Sequence, residues 1–106
     1  MTELIQVSSA APTRDSAVSL AQSAVPNRLA AGGQVFGPLA SAFWHDDEFG
    51  TGEEWQVVLK TSVDRYPDLE KHLVDHHPWA NPVIVAVPIV AAPNRYIAWA
   101  RAATAG

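Results

Sequence analysis

Four histidines, one strand-borne lysine and a short acidic run are the groups in this chain whose types and spacing point to chemistry. His72 and His76 fall four residues apart, a spacing that puts two imidazoles on one helical face and can hold a metal ion. No third ligand follows from the sequence. The simpler reading of the pair is two solvated surface histidines, because metal sites normally gather three or four donors. His45-Asp46-Asp47-Glu48 is the densest set of hard donors. Imidazole with carboxylate suits zinc, nickel or copper(II), and carboxylates alone suit calcium or magnesium. Consecutive strand residues point to opposite faces, so these four converge only if the chain bends; otherwise they form a solvated turn. Lys60 ends an apolar run. Its ammonium either binds an anion in a cleft or stays wet while its stem packs. The chain has no cysteine, which excludes a disulfide framework, a zinc-thiolate site and a thiol nucleophile.

The elements that must position these groups are legible from periodicity and punctuation. Leu4 to Ser8 reads as a strand, and Ala17, Leu20, Ala21 and Ala24 recur at helical spacing. Thr13 is placed to cap that helix, with Asp15 in its first turn, and Pro26 stops or kinks it near Val25. Gln34 to Trp44 and Glu54 to Thr61 read as strands joined by a polar, glycine-bearing hairpin over 45–52. Asp64 is placed to cap a second helix, with Pro67 in its first turn; Tyr66, Leu69 and Leu73 line its inner face, and Pro78 ends it. Val83 to Val90 is a strand whose Pro88 lacks a donor, so it belongs at a sheet edge. A last helix opens at Pro93-Asn94, with Tyr96, Trp99, Ala100 and Ala103 inward. The order β-α-β-β-α-β-α with right-handed crossovers predicts an α+β, ferredoxin-like sandwich with an antiparallel sheet, formed by residues 1–106 as one domain.

Composition bounds the function. The 106 residues are 48% hydrophobic and 17% charged, with a formal net charge of −4. That balance predicts a large core or surface buried against partners. The scattered cations make no stripe for nucleic acid, and a mildly acidic surface does not suit anionic membranes. The longest apolar run, Val83 to Ala92, is too short to span a bilayer. Residues 1–9 show no basic segment followed by an apolar stretch, so a cytoplasmic location is expected. Trp44, Trp55, Trp79, Tyr66, Tyr96 and Trp99 read as core and interface residues.

Four stretches together resemble the CutA family of divalent-cation tolerance proteins: Asn27-Arg28-Leu29-Ala30-Ala31, Val58-Leu59-Lys60-Thr61, His77-Pro78-Trp79 with Pro82, and Tyr96-Ile97-Ala98-Trp99. The resemblance covers nearly the whole chain. It implies a ferredoxin-like homotrimer in which edge strands pair between subunits, which removes an aggregation-prone edge. It also implies divalent-cation binding, of copper or zinc type, or a small ligand held in an inter-subunit cleft. Carried onto this sequence, that cleft takes Lys60, His77, Trp79, Tyr96 and Trp99, and a metal set takes His77, His45 and Asp46. His77 serves equally as a helix-end cap. The chain departs from the family pattern at Gly32, where a cysteine is common, at Val83, where a glutamate is common, and in the hairpin. Those departures remove polar ligands and add apolar space, so a second expectation is a scaffold recruited as an enzyme for an organic molecule, with His45, Lys60 and His77 as its acid-base groups. A third is a purely structural trimer that presents its hairpins to a partner.

Overall fold

The structure, a computed structural model, describes residues 2–106. Its elements run β1 (Leu4–Ala11), α1 (Arg14–Ala24), β2 (Gly32–His45), β3 (Glu48–Ser62), a 3-10 turn (Val63–Arg65), α2 (Tyr66–His76), β4 (Ile84–Ile89) and α3 (Asn94–Ala103). The four strands form one antiparallel sheet in the order β2-β3-β1-β4. The predicted ferredoxin-like α+β fold is present, and β4, carrying Pro88, lies at the edge where a residue without an N–H is tolerated.

Local chemistry explains the helices. Thr13 Oγ1 accepts the Ser16 N–H at 3.0 Å and Ser16 Oγ accepts the Thr13 N–H at 3.2 Å, so two donors without helical partners are satisfied at the start of α1. Asp64 does not cap α2. It lies inside the 3-10 turn, and α2 begins at Tyr66 without a side-chain cap, helped by Pro67, whose missing N–H costs nothing there. α1 and α2 cover one face of the sheet. Ile5, Val7, Val57 and Leu59 meet Leu20, Leu69 and Leu73 in the main core. α3 crosses the opposite face, where Leu4, Ala31 and Ala100 form a smaller cluster. Its C-terminal end is pinned by Thr104, whose Oγ1 donates to the Ala100 carbonyl at 2.8 Å and accepts from Ser62 Oγ at 2.6 Å.

The hairpin is longer and tighter than the sequence predicts. β2 and β3 pair as far as His45 and Glu48, leaving a two-residue turn of Asp46 and Asp47, both with positive φ (50° and 64°), as a type I′ turn requires. Gly50 sits within a strand because Phe43 lies opposite it, with a ring carbon 2.7 Å from where a Cβ would be. Pairing breaks once, between Phe36 and Leu39, at the cis Gly37–Pro38 step. A proline within a ladder is confined to such irregularities. The arm makes the molecule elongated, 44 × 24 × 21 Å, with a radius of gyration of 14.3 Å. A compact domain of this length has about 12.9 Å.

Candidate functional site

β3 carries Val58 and Lys60 on the sheet face opposite α1 and α2, because alternate strand residues share a face. β2 begins beside them, with Gly32 paired to Lys60 and Gln34 to Val58, and the Ala31 N–H donates to the Lys60 carbonyl at 2.7 Å. α3 crosses the same face and brings Tyr96 and Trp99, whose ring centroids lie 5.6 Å apart at 47°. These residues line an open groove of about 290 Å³. Three of the five cleft residues expected from the sequence, Lys60, Tyr96 and Trp99, therefore come together. Gly32 is small at a place where an added Cβ would stand 3.7 Å from the Trp99 ring. Among the described residues no acidic side chain pairs with the Lys60 ammonium. Trp99 was expected inward but is 51% exposed, forming a wall of the groove rather than a core residue.

His77 and Trp79 are held elsewhere within the chain. His77 Nε2 lies 2.7 Å from the Ala10 carbonyl, and its Nδ1 accepts the Trp79 N–H at 3.0 Å. These two bonds set the tautomer: hydrogen on Nε2, lone pair on Nδ1. Ala10 pairs with Gln56, four residues along β3 from Lys60, roughly 13 Å at the rise of a strand. The His77 side chain thus ties the turn after α2 to β1 rather than capping an α2 carbonyl, and both its ring nitrogens are engaged away from the groove.

His45 and Asp46 sit at the tip of the arm, exposed, with Nε2 and Oδ2 3.3 Å apart. Trp55, beside the His77 region, lies seven positions along β3 from Glu48, which pairs with His45, roughly 23 Å of strand. His45 and Asp46 do not meet His77 in one chain, and among the described residues no group of three His, Asp or Glu side chains gathers to hold a metal. The metal set implied by the resemblance does not fit a single chain.

The sequence reading missed two contributors. Gln34 lines the groove, and the two-residue alternation from Val58 and Lys60 through the β2–β3 pairing is the signal that locates it. Ser23 of α1 reaches His72 of α2, with Oγ 2.8 Å from Nε2. His72 is therefore not a freely solvated residue. Burial and the neighbouring His76 lower its pKa from the usual 6.5, against a smaller upward pull from Asp75. Its ring stacks on that of His76 at 4.0 Å.

An antiparallel ferredoxin-like sheet with helices on one face, a terminal helix crossing the other and a projecting β2–β3 arm defines the structural class. Comparison with known proteins narrows it. The family model for CutA1 divalent ion tolerance proteins matches residues 5–103, and the chain belongs to that family. The divalent-cation tolerance protein CutA of Thermus thermophilus is 30% identical over 90 residues, 85% of this chain and 87% of the relative. That of Citrobacter koseri is 27% identical over 100 residues, 94% of this chain and 87% of the relative. The solved structure of the divalent cation tolerance protein from Thermus thermophilus superposes with a TM-score of 0.93 at 28% identity, covering 96% of this chain and 99% of that one. No helix among the described residues is long and apolar enough to cross a membrane.

Proposed function

We propose that this chain acts in divalent-cation tolerance as a homotrimer, with the Lys60–Tyr96–Trp99 groove as a ligand cleft completed by a neighbouring copy. The observation that carries the reading is the β2–β3 arm. It projects from the body with Phe43, Trp44 and Phe49 exposed, Trp44 by 76% and Phe49 by 65%. The open sheet face adds half-exposed Val85 and Val87. Apolar surface of this extent, continuous with strand edges, is what a second and third copy would bury. The tolerance role follows from family membership and from the names of the Thermus thermophilus and Citrobacter koseri relatives.

Within that reading the groove favours an organic anion over a bare cation. It offers one ammonium, one amide side chain and two aromatic rings, with no carboxylate or imidazole in its lining. An ammonium repels a divalent ion and attracts a carboxylate or phosphate. A copper- or zinc-type site from His77, His45 and Asp46, or acid-base catalysis by His45, Lys60 and His77, requires groups from different copies.

Size-exclusion chromatography with light scattering tests the assembly. A mass three times the 11.4 kDa chain is expected, and a monomer overturns the proposal. Growth of a strain lacking its own CutA protein on copper or zinc salts tests the role. Restored growth is expected, and no effect sinks it. The proposed compartment is the cytoplasm, checked by fractionation; recovery in the periplasm would overturn it.

A further inference from the structure

The end of α2 carries an arrangement that the groove and the arm do not use. His72 and His76 occupy one face, one turn apart, with their rings stacked at 4.0 Å and inclined by 24°. Each ring has one nitrogen engaged with a protein oxygen. His76 Nδ1 lies 2.8 Å from the His72 carbonyl, an acceptor, so it carries the hydrogen and leaves the lone pair on Nε2. Ser23 Oγ lies 3.1 Å from the Leu20 carbonyl and donates there, so at 2.8 Å it accepts from His72 Nε2 and leaves the lone pair on His72 Nδ1. An N–H donated to a protein oxygen, with the other nitrogen bare, is the usual state of a metal-ligating imidazole, the outer bond fixing tautomer and orientation.

We propose that His72 Nδ1 and His76 Nε2 form a two-imidazole site for a divalent transition-metal ion of the nickel, copper(II) or zinc type, oriented by Ser23 from α1. Imidazole prefers these ions, and water fills their remaining positions. Ser23 holds His72 as the oriented ligand, and His76, which is exposed, turns to share the ion by giving up its bond to the His72 carbonyl. The site lies at the C-terminal end of α2, where the helix dipole favours positive charge. The charged groups on the same turns, Asp75 and Lys71, pair with each other at 2.7 Å and offset. His77 is no third ligand, because both its nitrogens are engaged. The proposal rests on neither the trimer nor the cleft.

The test is calorimetric titration of Ni²⁺ alone into untagged protein near neutral pH, with amide NMR line broadening to locate the ion. Saturable binding and broadening centred on the end of α2 are expected. His72→Asn and His76→Asn should each abolish saturation, and Ser23→Ala should weaken binding about tenfold. His45→Asn, at the exposed tip of the arm, should leave it unchanged. Absence of saturation in the wild type overturns the proposal, as does wild-type affinity in the double His72→Asn/His76→Asn variant or loss of binding in His45→Asn. Circular dichroism without metal checks each variant's fold. If His72→Asn unfolds, His76→Asn at an exposed position carries the test.

Discussion

An imidazole that donates from one nitrogen and accepts at the other has no lone pair left for a ligand, and His77 is in that state. A histidine that matches a family motif reads from sequence as either structural or functional; the Ala10 carbonyl and the Trp79 N–H that separate the two are brought to it only by the turn after α2. His72 differs, because its environment opposes protonation. Burial and His76 place its folded-state pKa below the usual 6.5, so around that pH the unfolded chain binds more protons than the folded one. Its contribution is complete above pH 6.5 and is lost as pH falls through 6.5 toward the folded-state value. Urea melts across this range, with a chelator present, should show wild-type stability falling with acid more steeply than that of His72→Gln; parallel profiles would refute the assignment. Asp75, whose carboxyl is lowered by its hydrogen bond to Lys71, acts below its usual 3.8 and does not overlap.

At the scale of elements, local signals survive where a boundary is set by a few adjacent residues. The cap at Thr13, the stop near Pro26 and the edge position of Pro88 are local steric or hydrogen-bonding facts, and each holds in the structure. Thr13→Ala removes the capping oxygen and strands the Ser16 N–H, so thermal or urea melts should show a loss of about 1 kcal/mol. A change within error would mean that water or Ser16 replaces the cap. The strand boundaries of the hairpin failed because cross-strand partners set them. Gly50, Gly52 and the acidic run read as loop, yet Phe43 covers Gly50 from the opposite strand and Asp46 and Asp47 adopt left-handed conformations. Asp64 failed for a related reason: the chain leaves β3 through a 3-10 turn, which moves the helix start beyond it. The groove was legible as residue types, Lys60, Tyr96 and Trp99. Its assembly depends on α3 crossing the second sheet face, which no local pattern encodes.

For the whole molecule the question is why a small chain extends an arm with aromatic residues at its tip. Trp44 and Phe49 pack edge to face across the arm, centroids 6.1 Å apart, but leave most of their surface in water. Within one chain that exposure is a cost, since each ring leaves apolar area unburied. In the proposed trimer a neighbour would bury these residues, and the arm would lie beside that neighbour's sheet edge. If this is the arm's purpose, the tip contributes to association far more than to folding of the chain. The double substitution Trp44→Ser/Phe49→Ser should therefore lower the mass seen by light scattering toward that of a single chain, or make it concentration-dependent. The β-sheet circular dichroism should be retained, because the main core around Val7, Val57, Leu69 and Leu73 lies at the other end. A variant that keeps the wild-type trimer mass would show that the arm is not the clamp. A variant that loses its sheet signal together with its assembly would show instead that folding and association are one event in this chain.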